Sequence, residues 1–428
     1  MTIVNRKGYI MKVKIDKHEL TDKELIVYNK PKRVYIPLIS GNDTNITILV
    51  NKGEYVYKGS IIAKRKGDFR IPIHASVSGT VLDFEERICY NGEKVKCVVI
   101  ENDFKEKIEQ KLSVKRTINK YSKEEFLELI KENGIIGMGG AGFPTYVKYE
   151  AKNIDTLIVN AVECEPYIMA DYALAKTKCE EILETIDAIL EINKIKEAII
   201  AIKKEDIALK QLFDSFIGTY LKIKIKLVPN VYPMGWEKTL VKQVTGKDYA
   251  NYPSDEGIIV NNVSTIYAIY EALKYNKPLI ERIVTFSGEG LENPHNVLVK
   301  MGTPVKEILD EFKIKPDSII VAGGPMMGIK VEDLVISPNL NCVLALDNNL
   351  NMATPCIECG KCVSVCPVKL SPVLIMKTKY KKEKDIEKFK SLHPEKCIGC
   401  GLCSYICPAK LFVRERVKEA KDIVRGDK

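Results

Sequence analysis

The sequence predicts a multidomain α/β chain, with a β-rich module first, an α/β module in the middle and a helical, cysteine-ligated module last. Three observations carry this. Short Val/Ile-rich runs alternate with glycine turns from Arg33 to Asn102. A helix start, a glycine-dense loop and several short apolar runs follow, up to about residue 280. Two near-copies of one cysteine motif lie close to the C-terminus. A length of 428 residues allows about three domains, and 46% hydrophobic content is enough to give each a core.

In the first module two glycine turns recur, at Val50-Asn-Lys-Gly53-Glu-Tyr-Val56-Tyr-Lys-Gly59 and at Pro72-Ile-His74-Ala75-Ser-Val-Ser78-Gly79. Such glycines permit tight connections, and the flanking Val and Ile fill a small sandwich. The pattern resembles the barrel-sandwich hybrid of biotinyl and lipoyl carriers. Those carriers place a modifiable lysine on a hairpin, in an Ala-Met-Lys-Met or Asp-Lys-Ala context. Here the corresponding stretch is Ala63-Lys-Arg-Lys66-Gly67-Asp, which has neither context, so a structural module is expected. His74 is read as a packing or hydrogen-bonding residue.

The central module opens on Ser122-Lys-Glu-Glu125, a capping box, ahead of a helix with Phe126, Leu129 and Ile130 on its apolar face and Gly134 at its end. Next comes Gly137-Met-Gly139-Gly140-Ala-Gly142-Phe143-Pro144-Thr145, then Lys148. This satisfies G-x-G-x-x-G in form only. A helix precedes it where the dinucleotide fingerprint needs a strand, so an ordinary Rossmann assignment fails. The bare backbone still suits a phosphate or a flat ring, with a plain tight turn as the alternative. Thr156-Leu-Ile-Val159 reads as a buried strand delivering Asn160-Ala-Val-Glu163-Cys164-Glu165-Pro166-Tyr167. Carboxylates just past a strand end of an α/β sheet lie where ligands bind. Gly235-Trp236-Glu237-Lys238 and Ile259-Val260-Asn261-Asn262 follow similar runs. Asparagine amides suit an isoalloxazine edge and glutamates suit ribose hydroxyls. Each element alone could be a helix cap or surface carboxylate; together they favour a flavin-nucleotide site.

The last module carries Cys356-Ile-Glu-Cys359-Gly-Lys-Cys362-Val-Ser-Val-Cys366-Pro367 and Cys397-Ile-Gly-Cys400-Gly-Leu-Cys403-Ser-Tyr-Ile-Cys407-Pro408. In C-x2-C-x2-C-x3-C-P, three cysteines hold one [4Fe–4S] cubane and the fourth reaches across to the other. Cluster one is therefore assigned to Cys356, Cys359, Cys362 and Cys407, and cluster two to Cys397, Cys400, Cys403 and Cys366. Structural zinc is the weaker reading, because zinc ribbons rarely use this density of cysteines with a trailing proline. The intervening segment, Val368 to Lys396, reads as helix, which predicts a helical ferredoxin. Its lysines at 377, 379, 381, 382 and 384 suit an acidic partner or a solvated face.

Composition narrows the classes further. The net charge of +9 is dispersed, which argues against nucleic acid. No apolar run is long enough to span a bilayer, and no secretory leader is evident. With eight of 13 cysteines in ligand spacing, a reducing cytoplasm is expected, with peripheral association with the cell membrane as the alternative.

From about Arg33 to Lys410 the chain resembles the RnfC family, the C subunits of the Rnf electron-transport complex and their soluble relatives. These in turn resemble the NADH-binding flavoprotein of respiratory complex I. The resemblance rests on Gly137–Thr145, Asn160–Tyr167, Tyr232–Lys238, Val260–Val263, Gly323-Gly-Pro-Met-Met-Gly328 and both cysteine motifs. It implies flavin mononucleotide (FMN) held by Gly137, Gly139, Gly140, Gly142, Lys148, Asn160, Glu163, Asn261 and Asn262, and NADH contacts near Phe143, Glu165 and Glu237. It also identifies Val284 to Gly328 as a small β-grasp domain of the soluble-ligand-binding (SLBB) type, to which no ligand is assigned. The expected order is a barrel-sandwich hybrid at 30–105, an FMN/NADH α/β domain at 115–280, the β-grasp at 281–335 and a two-cluster ferredoxin at 340–415.

Two departures stand out. Complex I flavoproteins carry an acidic residue where this chain has Val162 and a glutamate where it has Trp236. RnfC proteins usually begin with Gly-Gly-Ile-His-Pro, where this chain has Gly8-Tyr-Ile-Met-Lys12. The reading that follows is a cytoplasmic protein moving electrons from NADH through FMN and the clusters to a separate redox partner, such as proline reductase. The alternatives are a peripheral RnfC component of the membrane complex, a cobalamin reductase and a flavin-free electron relay.

Overall fold

The computed structural model describes residues 2–4, 10–12, 18–39, 43–67, 69–109, 115–348, 353–378 and 384–426. Lys379, Lys381 and Lys382 of the expected basic segment lie outside them, as do Gly8 and Tyr9.

The N-terminal module is built from two small antiparallel sheets. Arg33–Pro37, Lys94–Asn102, Gly79–Ile88 and Tyr55–Val56 form one, and Ile46–Ile48, Ile61–Arg65 and Pro72–His74 the other. Its Val and Ile side chains do not fill a private sandwich. Val34, Ile36, Val81 and Ile100 share one core with Val284, Phe286, Val297 and Val343 of the β-grasp. Backbone bonds cross the same seam, from Tyr35 N–H to the Gly302 carbonyl at 2.8 Å and from Val335 N–H to the Ile88 carbonyl at 3.3 Å. The two modules therefore share one hydrophobic core.

The β-grasp sheet is larger than the motif suggests. Its strand order is Ile329–Val331, Ile319–Ala322, Cys342–Leu346, Glu281–Ser287, His295–Lys300 and Ile26–Tyr28. The expected boundaries therefore shift at both ends. Cys342–Leu346, expected at the head of the ferredoxin, is a central strand here, pairing with Glu281–Ser287 and Ile319–Ala322. Ile26–Tyr28, from before the first expected domain, is the edge strand. Long-range pairing of this kind leaves no local signal in either segment.

The central domain is a parallel sheet ordered Ile223–Val228, Glu197–Lys203, Thr156–Ala161, Ile258–Asn262. Alternate residues serve opposite layers. Leu157 and Val159 join the helices Lys123–Glu132, Cys179–Asn193 and Val263–Tyr275, while Ile158 and Val260 pack on Glu237–Thr245. The chain runs outward from Thr156–Ala161 and returns to its other side as Ile258–Asn262. That reversal places a switch point between the two strands, the usual ligand crevice of open α/β sheets.

The C-terminal module is helical, as expected. Leu370, Ile375, Phe389, Val413, Val417 and Ala420 make its core. The closing helix is Val413–Arg425, so the module runs past the expected end at 415. Among the described residues no helix is long and apolar enough to cross a membrane.

Candidate functional site

The capping box forms as read, with Ser122 and Glu125 reciprocally bonded. Beyond Gly134 the glycine loop is pinned at its base. Gly137 N–H donates to the Phe143 carbonyl at 2.8 Å, and Met138 N–H donates to Thr265 Oγ1 at 2.9 Å. A Cβ on Gly139 would stand 3.3 Å from the Asn262 side chain, whereas one on Gly140 would meet nothing. The crest at 139–141 is thus exposed backbone above the end of Ile258–Asn262. A flat ring or phosphate can approach this exposed backbone closely, where Asn339 Nδ2 donates to the Gly140 carbonyl at 3.1 Å.

Around the switch point the carboxylates and amides are already engaged. Glu163 accepts from the N–H groups of Asp171 at 2.9 Å and Tyr172 at 3.0 Å, satisfying the open first turn of the helix Ala170–Thr177. Asp171 in turn accepts from Asn262 Nδ2 and Ser264 Oγ, both at 2.6 Å. Arg282, from the β-grasp, is buried beside this acidic pair. Burial pulls its guanidinium down to about 10, and Asp171 and Glu163 oppose the shift, so it stays charged at neutral pH. Asn160 Nδ2 donates to the Gly235 carbonyl at 2.9 Å, and its Oδ1 accepts from Val162 N–H at 3.0 Å.

Lys148 bridges the other flank. Its Nζ donates to the Val260 carbonyl at 2.7 Å and lies 3.6 Å from Glu237. Burial lowers its pKa, and Glu237 works against that. A partly desolvated cation at the C-terminal edge of a parallel sheet is well placed for a phosphate.

Three expected site residues have other partners in this structure. Asn261 is buried and donates to the Tyr149 hydroxyl. Glu165 accepts from the N–H groups of Met326 at 3.0 Å and Met327 at 2.9 Å, which fastens the Gly323–Gly328 loop to the flavin-type domain. Phe143 points outward against Phe69 of the barrel-sandwich module, ring centroids 5.8 Å apart.

The cysteines gather in the crossed arrangement. Cys356, Cys359 and Cys362 line one cavity with Cys407, the fourth cysteine of the other motif, and with Val373, Met376 and Leu411. Cys366 lies within electrostatic reach of Cys400 and Cys403, as does Cys397. Four thiols with Val373, Met376 and Leu411 as apolar walls fit a cubane.

A joint connects the two sites. Tyr232, Met326, Val365, Cys400 and Leu402 form one buried cluster, with Cys164 and Ile398 against it. Gly401 has φ +75, and a Cβ there would stand 2.0 Å from the Met326 carbonyl. Arg414 Nη1 donates to that same carbonyl at 2.8 Å. The cysteine loop at 397–403 thus sits on the seam between Tyr232 of the flavin-type domain and the Met326 loop of the β-grasp. Cys359 and Ile357 stay exposed on the other cradle.

Comparison with known proteins matches the first, the flavin-type and the last of these modules. Residues 7–105 match the RnfC barrel sandwich hybrid domain, 130–271 the Nuo51 FMN-binding domain and 355–411 the 4Fe-4S dicluster domain. The chain is 32% identical over 359 residues to the RnfC protein of the Na(+)-translocating ferredoxin:NAD(+) oxidoreductase complex of Acetobacterium woodii, covering 81% of each chain.

The chain belongs to the RnfC family.

A second RnfC relative, from the proton-translocating ferredoxin:NAD(+) oxidoreductase complex of Clostridium ljungdahlii, is 34% identical over 81% of this chain and 78% of its own. Among solved structures, an NAD+-reducing [NiFe]-hydrogenase in the H2-reduced state shares the fold, with TM-score 0.51 and 17% identity. That match covers 72% of this chain and 58% of the hydrogenase chain. The family fits the observed cradles, so this RnfC chain is an electron-transfer oxidoreductase component with an FMN-binding domain and a [4Fe–4S] dicluster domain. Sequence reasoning missed Asp171, Ser264, Arg282 and Tyr232. Only Tyr232 falls within a recognisable motif block. The others are polar residues inside helix or strand patterns, and nothing in their spacing sets them apart.

Proposed function

We propose that the chain passes electrons between NAD(H) and the partner proteins of an Rnf-type membrane assembly, as a peripheral component on the cytoplasmic face. The observation that carries this is the Cys164–Tyr232–Met326 joint, which packs the flavin-type domain against the Cys397–Cys403 loop, while Cys359 of the other motif is exposed. Flavin converts a two-electron hydride into single electrons, and each cubane carries one at a time.

In this reading the glycine crest and Lys148 hold FMN, with Asn160 and Asn262 bounding its ring edge and ribityl chain. Glu163 and Asn261 act one layer out, through Asp171 and Tyr149. Phe143 and Glu237 flank the nicotinamide nucleotide. Cluster two, on Cys397, Cys400, Cys403 and Cys366, is proximal to the flavin. Cluster one, on Cys356, Cys359, Cys362 and Cys407, faces the partner. Of the lysines expected to steer that partner, Lys377 pairs with Glu358, so an apolar rim with Ile357 is the better docking feature.

The relatives' assembly into membrane complexes supports this placement. The departure at Gly8–Lys12 keeps a second reading, a stand-alone donor to a separate reductase such as proline reductase. Detergent-free fractionation of native cells separates them. Recovery with integral membrane partners is expected. Recovery in the soluble fraction with a reductase would overturn the Rnf placement.

A further inference from the structure

The closing helix Val413–Arg425 carries one residue that its own pattern does not explain. Val413, Val417 and Ala420 are buried, with Cys366, Cys397, Cys403 and Cys407 packed against the same core. Glu415, Arg416, Lys418 and Glu419 are exposed on the other side. The helical period continues the apolar stripe from Val413 and Val417 to position 421, where an aliphatic side chain is expected. The residue there is Lys421.

Lys421 is half-buried, and its Nζ donates to the Cys397 carbonyl at 2.5 Å. Its electrostatic neighbours are Arg425, Cys397, Asp422 and Glu395, and Glu395 is itself bonded to His393 at 3.1 Å. Of these charges Lys421 is the one hydrogen-bonded to a cysteine of the cradle among the described residues. Bringing an ammonium here costs desolvation, and a neutral amide could make the same bond to the carbonyl. The charge itself therefore needs a reason.

The surroundings of the two cradles supply one. Cys400 of the inner cradle is 8% exposed and packs in the joint with Tyr232 and Met326, whereas Cys359 of the outer cradle is exposed. One electron added to a cubane adds one negative charge and neither makes nor breaks a bond. Burial disfavours that added charge, so it lowers the potential of the inner site. Two backbone donors oppose this, Leu370 N–H on Cys366 Sγ at 3.2 Å and Gly399 N–H on Cys397 Sγ at 3.3 Å. A positive charge held in the same low-dielectric surroundings opposes it further. At the outer cradle the nearby charges Glu358 and Lys377 neutralise each other and are exposed, so solvent screens them.

We propose that Lys421 sets the reduction potential of the inner cluster, its ammonium offsetting burial so that an electron can rest there. The proposal rests on the reading of both cradles as [4Fe–4S] sites. Lys421 touches the cysteine loop and not the reacting atoms, so it is a positioning residue that acts through its charge. Without it the inner cluster becomes the harder of the two to reduce, and electrons stall at the joint.

The test is an anaerobic redox titration of the full, cluster-loaded chain, read by electron paramagnetic resonance, with iron and sulfide measured on each sample. Each cubane gives a one-electron step, and the step lost in Cys366→Ser identifies the inner cluster. Lys421→Gln keeps a donor for the Cys397 carbonyl and removes the charge. It is expected to lower the inner step alone, by about tenfold in the reduced-to-oxidised ratio at a fixed potential, which is about 59 mV for one electron. Lys421→Arg keeps the charge and is expected to leave the step at its wild-type position. Lys418→Gln, on the exposed side of the same helix, is expected to move neither step. An inner step that stays in place in Lys421→Gln overturns the proposal, as does an equal shift of both steps or an equal shift in Lys418→Gln. Loss of iron from either Lys421 variant overturns it too, by making the residue a structural support of the loop. A wild-type chain that binds fewer than about two cubanes overturns the cluster reading itself, and this proposal with it.

Discussion

Tyr232 donates its hydroxyl to the Cys400 carbonyl at 2.7 Å, tying the flavin-type domain to the loop that carries three cysteines of one cluster. Burial, with Glu165, Cys164 and Cys400 nearby, raises the phenol's pKa, so it remains a donor throughout the accessible pH range. Phe in its place leaves the carbonyl without this donor in a buried joint, at about 1–3 kcal/mol. Urea titration of Tyr232→Phe should show cluster absorbance lost at lower denaturant, with the flavin-domain transition in place. Coincident, unshifted transitions would contradict the role of this bond.

The same joint depends on Gly401. Its left-handed backbone and its approach to Met326 leave no room for a Cβ. Gly401→Ala adds about 1–2 kcal/mol of backbone strain and a clash with a carbonyl that Arg414 also holds. Stopped-flow reduction should show normal flavin bleaching by NADH and slowed cluster reduction. Equal slowing of both phases would place the defect elsewhere.

Crossed ligation makes a distinct prediction for Cys366. Although it ends the first motif, it groups with Cys397, Cys400 and Cys403. Cys366→Ser should lower anaerobic iron and sulfide from about two cubanes to about one, and the surviving spectrum should vanish on further change of Cys359. Survival of the cluster on Cys397–Cys403 would refute the pairing.

Lys148 sets a pH dependence. Its pKa is lowered by burial, so in the flavin-free chain the charged form costs stability, and stability rises as pH climbs through the lowered value. Flavin phosphate favours the charged form, so binding takes up a proton above that value. Flavin affinity should fall with alkaline pH by up to about tenfold per pH unit, beginning below the ordinary lysine range. Lys148→Gln should weaken binding and remove the slope. A slope that persists in this variant would assign the proton to another group.

Much of this was legible in the residues because the informative features are local. The cysteine spacing, the capping box at Ser122 and the run Thr156–Val159 each announce their geometry over a few positions. What stayed hidden is long-range. Nothing near Cys342–Leu346 or Ile26–Tyr28 says that both join the β-grasp sheet. Glu165 follows a strand end, where a ligand contact is expected, yet its carboxylate meets the amides of Met326 and Met327, 161 and 162 residues away. Arg282 looks like an edge-strand charge in sequence and is instead a buried neighbour of Glu163 and Asp171. Such residues are chosen by the meeting of domains, which no short window contains.

Electrons from NADH are expected to reach both clusters within this one chain. Anaerobic mixing of the purified, cluster-loaded, FMN-loaded chain with NADH, freeze-quenched and read by electron paramagnetic resonance, tests it most directly. Reduced-cluster signals are expected to appear after flavin reduction and to be lost when Gly140 is replaced by a bulky residue that displaces the flavin. Flavin that is fully reduced while both clusters stay oxidised, even with excess NADH and a low-potential mediator present, would contradict it.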